Sequence, residues 1–354
     1  MTRYGRSQRR VWRGVSIVLV LLVLTICGGG YWLYSRLDEN ITGIDFSRVL
    51  GEDRPTKLPS TGRNFLVLGS DSRSGANSKL DPGKISGARS DTALVIHIPE
   101  VGNRVVAVSI PRDTLVYRPE CTARDGSSLP PAKRVMFNSV FALAGSACVV
   151  KTVEHMSGVL LDHFVEIDFS GFKKLVDVIG GVTVTLKHGI HDTASGLDLK
   201  PGTHRLDGRQ SLQFVRTRHG IGDGSDLGRI GLQQQFLTAL LHEIREQDLM
   251  GNPAKFYRVL DHLTSSLTTD SELASLRRLG EFAKRMGNFD PSHFDTIILP
   301  VRYDVRNPNR VVPAQPQANQ LWNALRADRA IPRELRKAPE SGANMGSYRS
   351  KWPG

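Results

Sequence analysis

The sequence predicts an α/β fold, with a mixed central β-sheet flanked by helices (an αβα sandwich), preceded by one N-terminal transmembrane helix. Three observations support this prediction. An uncharged apolar run near the N-terminus is long enough to cross a bilayer. Short β-branched runs then alternate with longer segments of helical periodicity. Hydrophobic residues make up 40% of the 354 positions, which is enough for a sizeable core.

The N-terminal segment is predicted to cross the cell membrane once. Residues 14–35 carry no charge, and a helix of that length spans about 33 Å, against roughly 30 Å of hydrocarbon. Residues 1–13 contain five arginines and no acidic residue, which predicts a cytoplasmic tail followed by an extracytoplasmic domain. The alternative is a cleaved signal peptide, but the run continues through three glycines into Tyr31-Trp32 without a small-residue cleavage pattern. We therefore expect an uncleaved anchor.

The charge of the chain has two parts. The formal charge is +12, from 47 basic and 35 acidic residues, and +7 remains without the five tail arginines. A basic excess fits nucleic acid, an anionic membrane surface or a phosphorylated substrate. The predicted location is extracytoplasmic and no helix-turn-helix with a basic face is evident, so we expect no nucleic acid partner.

After the anchor, the chain is predicted to comprise a stalk at residues 36–61, a globular domain at 62–337 and a disordered, Gly/Ser-rich tail at 338–354. Short apolar runs predict strands at 65–69, 92–98, 104–110, 163–168, 182–187 and 294–301. Helical spacing predicts helices at 138–161, 169–178, 226–249, 253–267 and 271–287. Residues 214–218 are predicted to be extended after a helix-like turn.

The exported part contains two cysteines, Cys121 and Cys148. In an oxidising compartment these are expected to form an intrachain disulfide. Two unpaired buried thiols are the alternative. Cys27 falls in the predicted membrane segment.

Charged side chains recur at the ends of the predicted strands, where ligand sites of α/β sheets form. Those with this placement are Asp71, Arg73, Arg89, Asp91, Arg112 and Asp113. Arg216 and Arg218 are two apart in the predicted extended segment and so share a face. Asp226, Arg229 and Gln233 share a face of the predicted helix at 226–249.

Convergence of these groups would suit a diphosphate. Guanidinium forks bind phosphate, and Asp71 and Asp91 offer the hard oxygen ligands that Mg²⁺, or another divalent cation such as Mn²⁺, takes beside phosphates. Each element also has an ordinary alternative: turn or cap carboxylates, a turn ion pair at Arg112-Asp113, a solvated strand face, or a surface pair at Asp226 and Arg229. The prediction depends on their occurring together in one domain.

Other catalytic signatures are incomplete. The chain has no Gly-x-Ser-x-Gly elbow, Gly83-Lys84 lacks the rest of a phosphate-binding loop, and the histidines show no His-Glu-x-x-His spacing. Neither a serine hydrolase nor a P-loop enzyme nor a zinc peptidase is predicted.

Residues 62–245 resemble the LytR-CpsA-Psr family, and the motifs look like those of actinobacterial members. The motifs that carry the resemblance are Gly69-Ser-Asp-Ser-Arg73, Arg89-Ser-Asp-Thr92, Ser109-Ile-Pro-Arg-Asp113, Ile167-Asp-Phe169 with Gly180-Gly-Val182, Arg216-Thr-Arg218, and Asp226-Leu-Gly-Arg229 with Gln233-Gln234.

The resemblance implies a phosphotransferase that moves a glycopolymer from a polyprenyl-diphosphate carrier to a hydroxyl of peptidoglycan and releases polyprenyl phosphate. It implies Asp71 and Asp91 as Mg²⁺ ligands. It implies a catalytic set of Arg89, Arg112, Arg216, Arg218 and Asp226, and a substrate-binding set of Arg73, Asp113, Arg229 and Gln233. Among actinobacterial members, arabinogalactan would be a natural polymer. The base that accepts the acceptor's proton is expected to be an Asp.

One position departs from the family pattern. Leu232 stands where the family commonly has Arg before the paired glutamines, so we expect one cation fewer at the edge of the site. A pyrophosphatase acting on the lipid carrier with water, and a non-catalytic wall-binding or regulatory membrane protein, are the alternative functions.

Overall fold

The computed structural model describes residues 24–25, 27–45, 50–51, 53–58, 62–70, 90–100, 104–217, 226–247, 252–286 and 293–336. For residues 90–91, 226–229, 283 and 285–286 it describes the backbone alone. Within these ranges a mixed central sheet is flanked by helices, which confirms the predicted α/β class.

The central sheet has seven strands in the order β1-β14-β9-β2-β3-β4-β15. Their bounds are β1 Thr42–Ile44, β2 Arg63–Ser70, β3 Ser90–Ile98, β4 Val105–Ser109, β9 His163–Asp168, β14 Leu267–Asp270 and β15 Phe294–Ile298. Parallel pairing joins β2 to β9, β4 to β15 and β1 to β14, while β3 is antiparallel to both neighbours. The C-terminal ends of β2, β4 and β9 and the start of β3 therefore share one edge, called here the site edge.

The remaining strands form hairpins around this sheet. They are β5 Leu115–Arg118 with β8 Ala132–Met136, β6 Cys121–Thr122 with β7 Ser128–Leu129, β10 Val182–Leu186 with β13 Gly202–Leu206, β11 Ile190–Asp192 with β12 Leu197–Leu199, and β16 Val301–Tyr303 with β17 Val311–Pro313.

The helices are α1 at residues 27–39, α2 Phe137–Ser157, α3 Phe169–Ile179, α4 Gly208–Arg216, α5 Asp226–Glu246, α6 Pro253–Thr264, α7 Leu276–Met286 and α8 Gln317–Arg326. One apolar core lies between α2, α8 and the sheet, with Leu66, Leu68 and Phe141 among its fully buried members. A second core packs α3, α4 and α5 against the β10–β13 hairpin through residues such as Phe214 and Phe236.

Helix α2 departs from the predicted helix at 138–161 in two ways. Gly145 has φ 72° and ψ −169°, so the helix is broken there, and the helix ends at Ser157 because Gly158 takes a left-handed conformation with φ 64°. A disulfide joins Cys148 of α2 to Cys121 of β6, with Cα atoms 5.7 Å apart, which confirms the predicted pairing.

The segment predicted as a stalk contributes to the folded domain where it is described. Strand β1 pairs with β14, and Leu37 and Leu50 are buried at 4% and 2% exposure. Arg54 forms an ion pair with the buried Glu154. Among the described residues no helix is both long and apolar enough to cross a membrane. Half of the predicted membrane segment, residues 14–23 and 26, and the predicted tail at 338–354 lie outside the described residues.

Candidate functional site

The site edge brings together the strand ends that carry the predicted site residues. Ser70 ends β2, is fully buried, and is paired with Ser90 on one side and Asp168 on the other. The β2–β3 register shifts after Gly69, which is paired with Thr92, so Asp91 is the extra residue of a bulge. Asp71 follows Ser70 in sequence. The register therefore places Asp91 beside the residue that precedes Asp71.

The metal ligands stay a prediction. Asp71, Arg73 and Arg89 lie outside the described residues, and the side chain of Asp91 is not described. In the described part of the chain there is no group of three or more His, Cys, Asp or Glu residues that could hold a metal ion. Two carboxylates on adjacent strand ends are a donor set of the kind that Mg²⁺ binds together with substrate phosphates.

Arg112 and Asp113 form the turn after β4. The Arg112 side chain is 16% exposed and its Nε lies 3.7 Å from Asp113 Oδ2, while Nη1 of Arg310 lies 3.6 Å from Asp113 Oδ1. The Arg112 carbonyl accepts a hydrogen bond of 3.0 Å from the backbone N–H of Asn138 in the first turn of α2. Asp113 thus has two guanidinium neighbours, an arrangement that holds Arg112 at the site edge.

The prediction that Arg216 and Arg218 lie on one face of an extended segment is wrong for Arg216, which is the last residue of α4. Asp207 caps this helix in a capping box with Gln210, which stabilises helical backbone through a segment whose own pattern looks extended. The Arg216 guanidinium carbon lies 5.4 Å from the ring centroid of Phe169. Arg218 lies outside the described residues.

Helix α5 is attached to the end of α4 beside Arg216. The Gln233 Nε2 donates a hydrogen bond of 2.9 Å to the carbonyl of Val215, so Gln233 fixes the backbone next to Arg216. Asp226 and Arg229 lie in the first two turns of the same helix, and their side chains are not described.

Leu232 does not lie at the edge of the site as expected. It is 3% exposed and belongs to the second apolar core with Phe214 and Phe236. One turn of helix is 3.6 residues, so Leu232 and Gln233 point in directions about 100° apart. The Leu at this position therefore contributes to packing between α5 and its neighbours.

Glu166 is a site residue that the sequence reasoning missed. Its carboxylate, on β9, receives hydrogen bonds from the side chains of Ser70 and Ser146, and the charges of Arg124 and Asp168 act on it. Burial raises the pKa of Glu166 above its ordinary value, and those two hydrogen bonds and Arg124 only partly oppose that effect. The available signal was its place on the same face of β9 as Asp168 and the fully buried Phe164, each two residues away.

Asp168, beside Glu166, has a structural task. It is the N-cap of α3, and its Oδ1 accepts a 2.8 Å hydrogen bond from the backbone N–H of Gly171. A Cβ at Gly171 would lie 1.9 Å from Cβ of Ser266, so this turn of α3 packs closely on the residue before β14. The cap and the close packing position the start of α3, including Phe169, under Arg216.

The site edge thus combines strand ends, guanidinium groups and a half-buried carboxylate. Arg112 follows the end of β4, Arg216 lies over Phe169 just after the end of β9, and the carboxylate of Glu166 is hydrogen-bonded to Ser70 at the end of β2. Guanidinium groups held in place suit phosphate oxygens and charge that develops on them. The geometry is therefore that of an anion site with a titratable group beside it.

The sequence and the fold both match known proteins. Residues 34–327 match the LytR_cpsA_psr family. The cell wall biosynthesis protein LcpA of Corynebacterium glutamicum is 29% identical over 73% of this chain. The chain covers 55% of LcpA, so it spans about half the length of that relative.

Two further proteins extend the comparison to other bacteria. The polyisoprenyl-teichoic acid–peptidoglycan teichoic acid transferase TagU of Oceanobacillus iheyensis is 28% identical over 78% of this chain and 82% of its own. The crystal structure of B. subtilis TagV has the same fold, with a TM-score of 0.58 and 21% identity over 77% of this chain and 98% of TagV. A family match over most of the chain, with the motif-bearing strand ends gathered at one edge of a matching sheet, shows that this chain is a member of the LytR_cpsA_psr family.

Proposed function

We propose that this protein is a membrane-anchored, extracytoplasmic phosphotransferase that moves a glycopolymer from a polyprenyl-diphosphate carrier to a hydroxyl of peptidoglycan. The products are a phosphodiester between polymer and peptidoglycan and a polyprenyl phosphate. The observation that carries the proposal is that the described parts of the family's motifs, among them Asp91, Arg112 and Asp113, lie at the site edge. The name of TagU, a teichoic acid transferase that acts between a polyisoprenyl carrier and peptidoglycan, supports the same reaction class.

The residues divide the work by their chemistry. Arg112, Arg216 and Arg218, with Arg73, Arg89 and Arg229, would bind the diphosphate and the charge that develops on it. Asp71 and Asp91 would hold Mg²⁺, which when bound supplies positive charge to phosphate oxygens.

The supporting residues orient this set. Asp113 holds Arg112, Gln233 fixes the backbone beside Arg216, and Asp226 is proposed to orient the arginines around it. The polymer is proposed to be an arabinogalactan, on the basis of the actinobacterial style of the sequence.

The direct test uses the full chain in detergent with a polyprenyl-diphosphate glycan, a peptidoglycan acceptor and Mg²⁺. Release of polyprenyl monophosphate together with polymer attached to peptidoglycan is expected. Release that does not depend on acceptor would instead identify a pyrophosphatase. A folded protein that releases no polyprenyl monophosphate would rule out the phosphotransferase and leave a wall-binding function.

Two substitutions connect the reaction to the site. Arg112→Ala and Arg218→Ala are each expected to lower kcat by about 10² or more, since each removes a charge that acts on the transition state. Arg329→Ala removes an exposed arginine at the opposite end of the sheet and serves as the matched control. Near-normal turnover of either site variant would place that arginine outside the reaction.

A further inference from the structure

The hairpin that carries the disulfide also brings an arginine to the site edge. Arg124 lies in the turn between β6 and β7, three residues after Cys121. The disulfide from Cys121 to Cys148 ties this hairpin to α2. The backbone N–H of Arg124 donates a 3.1 Å hydrogen bond to the carbonyl of Leu143 in α2. The position of Arg124 is therefore set by one covalent and one hydrogen-bonded link to the same helix.

The break in α2 creates the place that Arg124 occupies. In an unbroken helix the Leu143 carbonyl would accept from the residue four positions later, and the non-helical dihedrals of Gly145 interrupt that bond. A Cβ built on Gly145 would lie 3.7 Å from the guanidinium carbon of Arg124. The guanidinium thus lies directly over the break.

In the part of the chain that the structure describes, one nitrogen of the Arg124 side chain forms a hydrogen bond. Its Nη2 donates to the carbonyl of Phe141 at 3.1 Å, and its guanidinium carbon lies 5.0 Å from the centroid of the Phe141 ring. The residue is exposed, and among the described residues no carboxylate lies within ion-pair distance of it. An arginine presents five N–H donors, so most of them face away from these two contacts.

Glu166 interacts electrostatically with Arg124 and connects it to the site edge. Arg124 acts on the carboxylate of Glu166, which is hydrogen-bonded to Ser70, the residue before Asp71, and to Ser146, the residue after the break. The guanidinium lies over Gly145, and the next residue, Ser146, is hydrogen-bonded to the carboxylate of Glu166 on β9, the strand that pairs with β2. These contacts place the guanidinium near the end of β2, beside the position proposed for the diphosphate.

We propose that Arg124 is a further substrate-binding residue of this site, one that donates hydrogen bonds to a phosphate of the lipid-linked diphosphate and is held in place by the disulfide-linked hairpin. This inference rests on the proposed function, because it adds a residue to the same diphosphate site. An ordinary surface arginine would be free to move, whereas this one is fixed by Phe141, Leu143 and the disulfide.

The test measures binding of farnesyl diphosphate with Mg²⁺ to the full chain in a detergent without phosphate. Titration calorimetry compares the wild type with Arg124→Ala, Arg124→Lys and the control Arg329→Ala, and thermal unfolding monitors the fold of each. Arg124→Ala is expected to raise Kd about tenfold or more, as for a lost charge-assisted bond. Arg124→Lys should recover part of the affinity, since it keeps the charge without the fork. Arg329→Ala should bind as the wild type does.

The hairpin is tested by removing the disulfide. The paired change Cys121→Ser and Cys148→Ser is expected to weaken binding in the wild type and to add little to the loss in Arg124→Ala, because both act through the same guanidinium. Equal losses with and without Arg124 would show that the disulfide does not act through it.

The outcomes separate this inference from the proposed function. A wild type that transfers polymer while Arg124→Ala binds farnesyl diphosphate normally would overturn the role of Arg124 alone. A wild type that binds the diphosphate through Arg124 but transfers nothing would support the role and refute the transferase. A wild type that binds no farnesyl diphosphate would overturn the role of Arg124, and one that also transfers no polymer would overturn both. Equal loss of affinity in Arg124→Ala and Arg329→Ala would show a general effect of charge and also overturn the role.

Discussion

We predict that the carboxylate of Asp270 on β14 stabilises the position of β9, the strand that carries Glu166. Asp270 ends β14, and its Oδ1 lies 3.1 Å from Nδ1 of His163, the first residue of β9. The same carboxylate accepts backbone N–H bonds of 3.1 Å from Phe164, Glu272 and Leu273. Asp270 and His163 have side chains 8% and 7% exposed. The substitution that tests this is Asp270→Asn, which keeps the shape of the side chain.

The expected cost follows from these contacts. The amide of Asn offers one acceptor oxygen, so the buried N–H of Phe164 loses its acceptor, which costs about 1–3 kcal/mol. Loss of the negative charge weakens the remaining bonds and adds about 1 kcal/mol. We expect Asp270→Asn to lower the free energy of unfolding by about 2–4 kcal/mol.

The chain contains a matched control for this prediction. His191 and Asp198 form the same kind of pair at 3.4 Å, but their side chains are 74% and 79% exposed. Exposed pairs contribute about 0–1 kcal/mol, so Asp198→Asn should change stability by less than about 0.5 kcal/mol. Urea unfolding of the full chain in detergent at pH 7, followed by circular dichroism, measures both variants.

The stabilisation by Asp270 should also change with pH in a defined direction. Burial tends to raise the pKa of Asp270, but the bonds from His163, Phe164 and Leu273 outweigh it and hold the pKa below the ordinary 3.8. The stabilisation is therefore complete above pH 3.8 and is lost as the pH falls through the lowered pKa. The difference between wild type and Asp270→Asn should therefore shrink as the pH falls below about 4. Equal losses for Asp270→Asn and Asp198→Asn at pH 7, or a loss of Asp270→Asn that grows as the pH falls below about 4, would refute the reasoning.

Two further predictions concern the site edge. Because the pKa of Glu166 is raised, the folded protein binds the proton of Glu166 more strongly than the unfolded chain does, and the resulting stabilisation is present below pH 4.5 and is lost as the pH rises through the raised pKa. Glu166→Gln should therefore be more stable than the wild type at pH 7 and gain nothing near pH 4. Lower stability of the variant at pH 7 in urea titrations would contradict this. Gly145→Ala is expected to cost about 1–3 kcal/mol because φ 72° with ψ −169° is accessible essentially only to glycine. Gly231→Ala in α5, where a Cβ meets nothing within 4 Å, should be neutral or stabilising by up to about 1 kcal/mol, and similar melting temperatures for the two variants would show that the break at Gly145 carries no strain.

Local pattern was sufficient for the elements that form the sheet. Strand β9 has the predicted bounds of 163–168, and β2, β3, β4 and β15 each overlap the predicted runs. These strands are short, rich in β-branched residues and bounded by turns, so their burial is visible in the order of residues alone. The Cys121–Cys148 bond could also be predicted, because the part of the chain that follows the predicted membrane segment has only those two cysteines.

Local pattern failed where a distant contact decides the conformation. Arg216 is helical because Asp207 and Gln210 cap the helix and Phe214 is buried against α5, although residues 214–218 alone look extended. Residues 42–44 form a strand because β14 offers them a partner. Strand β14 is far from residues 42–44 in sequence, so periodicity carries no signal for that pairing. The capping box of Asp207 and Gln210, by contrast, is a local signal for the helix that contains Arg216.

The sequence by itself determined that this chain is an α/β protein of the LytR_cpsA_psr family, with carboxylates and guanidinium groups at the strand ends. Motifs and their order along the chain can be read without knowing how the chain folds. The tertiary structure decided which groups meet. It placed Asp91 at a bulge beside Ser70 and Leu232 in a core. It also brought Glu166 into the electrostatic range of Arg124, 42 positions away in sequence. Strand register, a helix break and a disulfide bring such groups near one another, and all three are fixed only when the chain is packed.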